Sequence, residues 1–414
     1  MNGQVKELCP GDVYRIEPLT VDQPPRALEE KSQQLIIRSS TLSGYFVPEV
    51  QKEVQGLVRS MNGYYSNLIE GHQTRPEDIE RALRRDFSSQ PKQKNLQVLH
   101  LAHLKTQTAI EELLVRDPST PICQPDFLKW IHRVLYEDLP DSLRVQIDTK
   151  GKEYVVRPGE FRDHQVVVGN HLGPPWESLE AFFKRFAAYE GFISCTPTGI
   201  INAMAAHHRL AWLHPFPDGN GRVARLFTHS WLLKAGIQGL KMWTLSRGLA
   251  RSRDQYYARL VAADSSRSGD YDGRGARSLK GLVEFCEFMI ETAIDQVEFM
   301  QGLLAPATFI ERAYAYCRVQ EEMRKLPAGA AAIYRDALFK GKLTRGEVTL
   351  LSGRSRRSAQ DITKAFLQQG YCMSPSPKGE LFPAFPPSAC SALFPELYPA
   401  GGPITVGKPG QTVR

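Results

Sequence analysis

The chain has 414 residues, with 52 Lys and Arg against 45 Asp and Glu, for a formal net charge of +7. That length supports two or three domains with real cores, and so mild a basicity suits a nucleotide or an acidic partner without pointing to nucleic acid. Seven scattered cysteines with no CxxC spacing suit a reducing cytoplasm; the polar N-terminus is unlike a signal peptide, and no 18-residue apolar run offers a membrane span. The expectation is a soluble cytoplasmic protein.

In chain order, residues 1–30 are proline- and charge-rich and read as an irregular arm. Residues 46–115 carry helical signals: Val47, Val50, Val54, Leu57 and Val58 on one face, then Leu96, Leu99, Leu101, Leu104 and Ile110. A proline-rich turn over 118–125 precedes a helix through Phe127, Ile131 and Leu135. Residues 144–170 change character. Val145, Ile147, Tyr154 to Val156 and Val166 to Val168 are β-formers bounded by Gly151 and Pro158-Gly159, the pattern of one or two hairpins. Taken alone, the three valines at 166–168 read as a core strand. Helices resume at Ser178. Ile200 to Leu213 is Ala-rich with apolar residues at helical spacing, a buried helix, and Leu282, Cys286, Met289, Ala293, Val297 and Met300 form a later helical stripe.

Residues 214–225 read His214, Pro215, Phe216, Pro217, Asp218, Gly219, Asn220, Gly221, Arg222, Val223, Ala224, Arg225. The proline should bias His214 out of the helical region. The Gly219-Asn220-Gly221 turn then opens a second helix, with Val223, Leu226, Phe227, Ser230 and Trp231 as its packed stripe. Successive amides at a helix start make an anion site, because unpaired N–H groups and the helix dipole face the ligand. His214 can take a proton from a Ser, Thr or Tyr hydroxyl as it attacks phosphorus. Asp218 is a hard oxygen ligand suited to Mg²⁺, with Mn²⁺ as an alternative ion. Arg222 would neutralise charge on the phosphate chain, and Arg225 would reach the terminal phosphate. Phosphorus transfer needs mostly positioning and charge stabilisation, and this inventory supplies both. His207, His208 and His229 read as packed or hydrogen-bonded core histidines, since no cysteine or carboxylate joins them at zinc spacing.

The run resembles, position for position, the signature of the Fic family, His-x-Phe-x-(Asp/Glu)-Gly-Asn-Gly-Arg-x-x-Arg. The similarity extends over about residues 35–305, through Glu160 to Gly169, Pro174 to Leu179, and Tyr256-Tyr257. It implies a mainly α fold: a Fic-type helical core with a β-hairpin flap, plus a small winged helix-turn-helix domain. It implies a protein adenylyltransferase that moves AMP from ATP to a Ser, Thr or Tyr hydroxyl of a target protein, itself among the candidates. Val166, Val167, Val168 and Gly169 match the flap, on whose edge a target segment would pair as an added strand. Tyr256 and Tyr257 match an aromatic pair beside the nucleoside. Asp264 stands where relatives often carry Asn, a departure that touches ribose or base recognition.

Upstream, Ser66-Asn-Leu-Ile-Glu70-Gly71 resembles the inhibitory motif of that family, at the end of a helix with Gly71 as C-cap. The resemblance implies a Glu70–Arg225 pair that occupies the arginine needed by the γ-phosphate. The alternative is a solvated glutamate at a helix end.

Near the C-terminus, Leu343 to Glu347 begins a short helix, Ser352-Gly353 turns, and Ser355 to Gln369 forms a second helix. A wing-like turn at Lys378-Gly379 follows. Arg354, Arg356, Arg357 and Lys364 could touch DNA phosphates, and they equally describe a solvated face or a protein-docking surface. The proline- and glycine-rich tail from 383 on reads as disordered or loosely draped. The resulting division is an arm (1–30), a helical region with the inhibitory helix (31–115), a Fic core (116–305), a winged helix-turn-helix (306–385) and a tail (386–414). Two rival functions stand beside the transferase: removal of AMP by the same site, and a nucleotide-responsive DNA-binding regulator. Oligomeric state stays open, a homodimer being one option.

Overall fold

The computed structural model describes residues 13–147, 151–168 and 171–398. Gly169, one of the flap residues named above, lies outside the described residues. The architecture is mainly α. Helices α1 (Arg26–Leu42), α2 (Pro48–Ile69), α3 (Pro76–Leu83), α4 (Pro91–Arg116) and α5 (Pro125–Tyr136) come first. Four of these five begin on a proline, whose fixed φ and missing N–H cost nothing in a first turn. Two hairpins follow: β1 (Val145–Ile147) with β2 (Glu153–Val155), then β3 (Val167–Val168) with β4 (His171–Leu172), each pair antiparallel.

The central part comprises α6 (Leu179–Phe186), α7 (Pro197–Leu213), α8 (Asn220–Lys234), α9 (Leu245–Arg251), α10 (Arg253–Asp264) and α11 (Leu279–Leu304). Helix α7 is buried almost all round, as its uniformly apolar and small composition requires. It packs against α8, α11 and α1 and forms the axis of the core. Thr196 caps α7 on the Gly199 amide, and Ser278 caps α11 on that of Gly281. The arm before α1 is irregular but pinned. Ile16, Leu19 and Val21 are buried, and Arg209 of α7 donates through Nε and Nη2 to the Pro18 carbonyl, at 3.0 and 2.8 Å.

The C-terminal part holds α12 (Pro306–Glu322), α13 (Ala330–Lys340), α14 (Arg345–Ser352), α15 (Arg356–Gln369), the hairpin β5 (Cys372–Met373) with β6 (Phe382–Pro383), and α16 (Pro387–Leu393). A capping box between Thr344 and Glu347 starts α14, and Gly353 in the left-handed region turns it towards α15. Arg354, Arg356, Arg357 and Lys364 are exposed. The tail differs from the expectation of disorder as far as residue 398. Its apolar residues find seats: Leu393 and Leu397 are buried, Phe394 lies 5.4 Å from Phe309 between ring centroids, and Tyr398 lies 5.1 Å from Tyr64. Prolines between such anchors lower the entropy lost on docking. The last α2 residues therefore have the chain's own C-terminal segment as a neighbour: Tyr65 Oη donates to the Leu397 carbonyl at 2.9 Å.

Candidate active site

Helix α7 ends at His214, which adopts φ 45° and ψ 58°. The following proline was expected to bias this histidine out of the helical region, and it sits in the left-handed region. Buried contacts must sustain so unfavourable a conformation for a residue with a β-carbon. Arg162 supplies them. Its main-chain N–H donates to the Pro215 carbonyl (2.8 Å), its Nε to the His214 carbonyl (2.9 Å), its Nη1 to the His164 carbonyl (2.9 Å), and its Nη2 to the Pro174 carbonyl. This arginine is 2% exposed, so one buried side chain ties the histidine turn to both ends of the β3–β4 hairpin. It lies within the run Glu160 to Gly169 quoted above, where sequence reading assigned it no role. The His214 side chain is half-buried. Loss of hydration, with the charges of His171 and Arg162 adding to it, lowers its pKa to about 4, so the ring is neutral at physiological pH.

The turn from Phe216 to Asn220 is closed by Asn220, whose Oδ1 accepts from the Phe216 N–H (2.9 Å) and whose Nδ2 donates to its carbonyl (2.7 Å). Asn220 thus shapes the loop and keeps its own amide engaged there. Gly219 caps α8 at φ 81°. A second support comes from α5, through two residues four apart on one face. The Gly159 N–H donates to His132 Nδ1 (2.9 Å), which leaves the hydrogen on Nε2 to face the Asp218 carbonyl at 3.3 Å. The His132 ring is stacked between Tyr136 and Phe216, at centroid distances of 4.4 and 4.0 Å. Tyr136 Oη donates to Asp218 Oδ2, and Arg222 Nη2 reaches the same oxygen at 3.1 Å and the phenol oxygen as well. Burial alone would raise the Asp218 pKa; Arg222 and Tyr136 outweigh it and hold the carboxyl below its usual value. The bonds from Tyr136 and Arg222 both fall on Oδ2 of this carboxylate. His132 and Tyr136 escaped sequence reading because the helix was read from its apolar stripe; a polar pair at i, i+4 on its flank was the available signal.

Arg222 and Arg225 lie one turn apart on α8 and are both buried. Arg222 leaves Nε and Nη1 buried with no hydrogen-bond partner among the described residues. Arg225 is engaged through two of its nitrogens: Nε donates to Ser66 Oγ (2.9 Å), and Nη2 donates to the Ser66 carbonyl (2.9 Å) and to Glu70 Oε1 (2.6 Å). These acceptors come from the end of α2. Gly71 at φ 84° closes that helix, its N–H going to the Leu68 carbonyl and that of His72 to Asn67, the paired bonds of a Schellman motif. The Ile69 carbonyl is then held by Arg253 Nε (2.8 Å) and Tyr257 Oη (3.3 Å). Glu70 lies against the start of α8: a β-carbon added to Gly221 would stand 2.2 Å from Glu70 Oε1. The Glu70 carboxylate therefore lies directly against the glycine turn.

The two tyrosines separate. Tyr256 is buried, and its Oη meets His207 Nε2 at 2.7 Å; His207 Nδ1 meets Thr228 Oγ1, also at 2.7 Å. Tyr257 is half-buried beside the end of α2 and under Arg253. Val167 and Val168 are exposed (66% and 47%), unlike core strand residues, while Val166 is half-buried. Among the described residues β3 pairs with β4 alone, so its outer edge is open. His208 is buried and His229 is paired with Glu111 at 3.3 Å, so neither belongs to the site. Among the described residues no three His, Cys, Asp or Glu side chains converge as a metal site, and no helix is long and apolar enough to cross a membrane.

Residues 122–232, which include the whole histidine-to-arginine turn, match the Fic/DOC family. A protein adenylyltransferase Fic from Culex quinquefasciatus is 30% identical over 142 residues, 32% of this chain and 28% of that one. The adenylyltransferase Fic of Drosophila mojavensis is 30% identical over 166 residues, 39% and 32% of the two chains. The chain thus spans less than a third of the length of these relatives. A solved Fic family protein from Desulfovibrio desulfuricans G20 aligns over 87% of this chain and 98% of its own, with 17% identity and a TM-score of 0.49.

Proposed function

We propose that the chain is a protein adenylyltransferase that transfers AMP from ATP to a Ser, Thr or Tyr hydroxyl of a target protein, and that Glu70 holds it in check. The observation that carries the reading is the start of α8. A buried guanidinium with two unpartnered N–H positions, a half-buried neutral histidine and a carboxylate all meet there. An unpaired buried N–H is costly, and an anionic phosphate is the ligand whose chemistry would relieve it. Neutral His214 accepts the acceptor hydroxyl's proton as that oxygen bonds to the α-phosphorus. The bond from that phosphorus to the bridging oxygen breaks, and pyrophosphate leaves with its charge met by Arg222. Asp218, whose bonds to Tyr136 and Arg222 both fall on Oδ2, would hold a divalent ion. Such an ion, when bound, supplies further charge neutralisation on the phosphates.

The Glu70 reading rests on exclusion. Arg225 cannot serve both a carboxylate and a γ-phosphate, and Glu70 lies directly against the Gly221 turn. The test incubates wild-type and Glu70→Gly protein with α-³²P-ATP and Mg²⁺ and follows self-labelling. Label on the variant, absent in EDTA, supports transfer. No label on either, with release of AMP from a pre-modified protein, would replace the proposal with the reverse reaction. No nucleotide chemistry at all, with duplex DNA retarded by the full chain, would replace it with a binding regulator.

A further inference from the structure

Asp264 ends α10 with both carboxylate oxygens engaged. Oδ1 stands 3.3 Å from His208 Nε2 on α7, and Oδ2 stands 3.0 Å from His171 Nδ1 on β4. The other nitrogen of His171, Nε2, donates to the Trp212 carbonyl at 2.8 Å, two residues before His214. Both nitrogens of this ring therefore face oxygens, one on α10 and one on α7. His171 is also the register partner of Val168 on the exposed strand β3. One imidazole therefore joins the open-edged strand, the last turn of the helix that delivers the base, and the end of α10. Arg162 fixes the base of the same hairpin, and His171 is a second anchor among its described residues.

We propose that His171 and Asp264 are positioning residues that lock the β3–β4 hairpin to α7, and so set where an acceptor segment aligned on β3 meets His214. The inference rests on the transferase reading for its consequence, though the lock itself does not. A strand that receives a substrate by backbone pairing transmits its own displacement to the reacting oxygen, and small misplacements of a reacting group are expensive in rate. Burial opposes ionisation of Asp264, but hydrogen bonds from His171 and His208 prevail and keep it a carboxylate.

The test uses the full chain carrying Glu70→Gly, with His171→Ala, Asp264→Ala or Asp264→Asn added. Two quantities are followed: amide hydrogen exchange of the segment 163–175 by mass spectrometry, and the self-labelling rate with α-³²P-ATP. The alanine variants should speed exchange in this segment and slow labelling, each by about tenfold, while exchange in α7 and α11 stays as in the parent. Asp264→Asn should stay near the parent in hairpin exchange. Its amide oxygen can accept from His208 Nε2, and its N–H can donate to Nδ1 of a neutral His171, which conserves every bond. Unchanged hairpin exchange in both alanine variants overturns the lock, whether or not the protein labels. Faster exchange with parental labelling overturns the positioning role. A parent that does not label at all counts against the transferase reading alone, because the exchange measurement still decides the lock. Should Asp264→Ala unfold the end of α10, His171→Ala removes the same link from the hairpin side.

Discussion

His214 combines a left-handed backbone with a depressed pKa, and both follow from its place where a buried helix stops against Arg162. A histidine whose charged form is disfavoured stays unprotonated until the pH falls to about 4. Self-labelling by Glu70→Gly protein should therefore hold its rate well below pH 6.5 and fall only near pH 4 to 5. An acid limb centred at the ordinary histidine value would contradict the enclosure seen here. His214→Ala should lower labelling by about 10²–10⁴-fold while nucleotide binding persists, as judged by calorimetry; retention of a third of the rate would remove His214 as the base. At the next remove, Tyr136→Phe takes a buried hydroxyl from both Asp218 and Arg222. About 1–3 kcal/mol of stability should be lost in urea titration, with a higher Mg²⁺ concentration needed for half-maximal labelling.

At the scale of elements, the end of α2 holds an arginine of α8 that the proposed γ-phosphate would also need. The Arg225–Glu70 pair is buried on the arginine side and partly desolvated on the other, and it contributes on the order of 1.5–3 kcal/mol. Since each 1.4 kcal/mol is a tenfold change in population, Glu70→Gly should raise labelling about ten- to a hundredfold. Arg225→Ala should not, because the proposed γ-phosphate anchor goes with the inhibitory partner. Equal labelling by wild type and Glu70→Gly would reduce Ser66 to Gly71 to a helix end. Much of this arrangement was legible in one dimension: the helix stop at Gly71, the amide turn before α8, and the buried character of α7 each have a local cause. The hairpin was legible as β structure, but its exposed valines were not. Three consecutive β-branched residues look alike whether they fill a core or line an open edge, and only the packing of neighbours tells them apart.

For the molecule as a whole, several histidines are buried in neutral form. Burial lowers His100 to about 4, and His132 and His207 to about 3. Each has a folded pKa below its unfolded value, so between those values the unfolded chain binds the extra proton. Their contribution is complete above about pH 6.5 and is lost as pH falls towards 3 to 4, at about 1.4 kcal/mol per pH unit for each. The urea midpoint should accordingly drop steeply from pH 6.5 to 4.5, and a flat profile would show that these rings are hydrated. The C-terminal segment is a second whole-molecule term. Tyr65→Phe, which removes the bond to the Leu397 carbonyl, should cost about 0.5–1.5 kcal/mol, and truncation after residue 386 more than that, because Leu393, Phe394 and Leu397 leave apolar seats open.

What the amino-acid sequence determined by itself is whatever depends on near neighbours in the chain. The proline and glycine punctuation, the buried helix running into His214, and the donors and charges from Asp218 to Arg225 all lie within a few turns, so their spacing is their geometry. Tertiary structure decided what depends on residues far apart. Asp218 meets Tyr136 across 82 positions, Arg225 meets Glu70 across 155, and Tyr65 meets Leu397 across 332. A tail rich in proline carries no local sign of where it will dock, and a lone Asp264 carries none of the two histidines it will bind. Those partners are chosen by the way helices stack around α7, because an isolated buried charge or hydroxyl has to find a partner wherever packing brings one within reach.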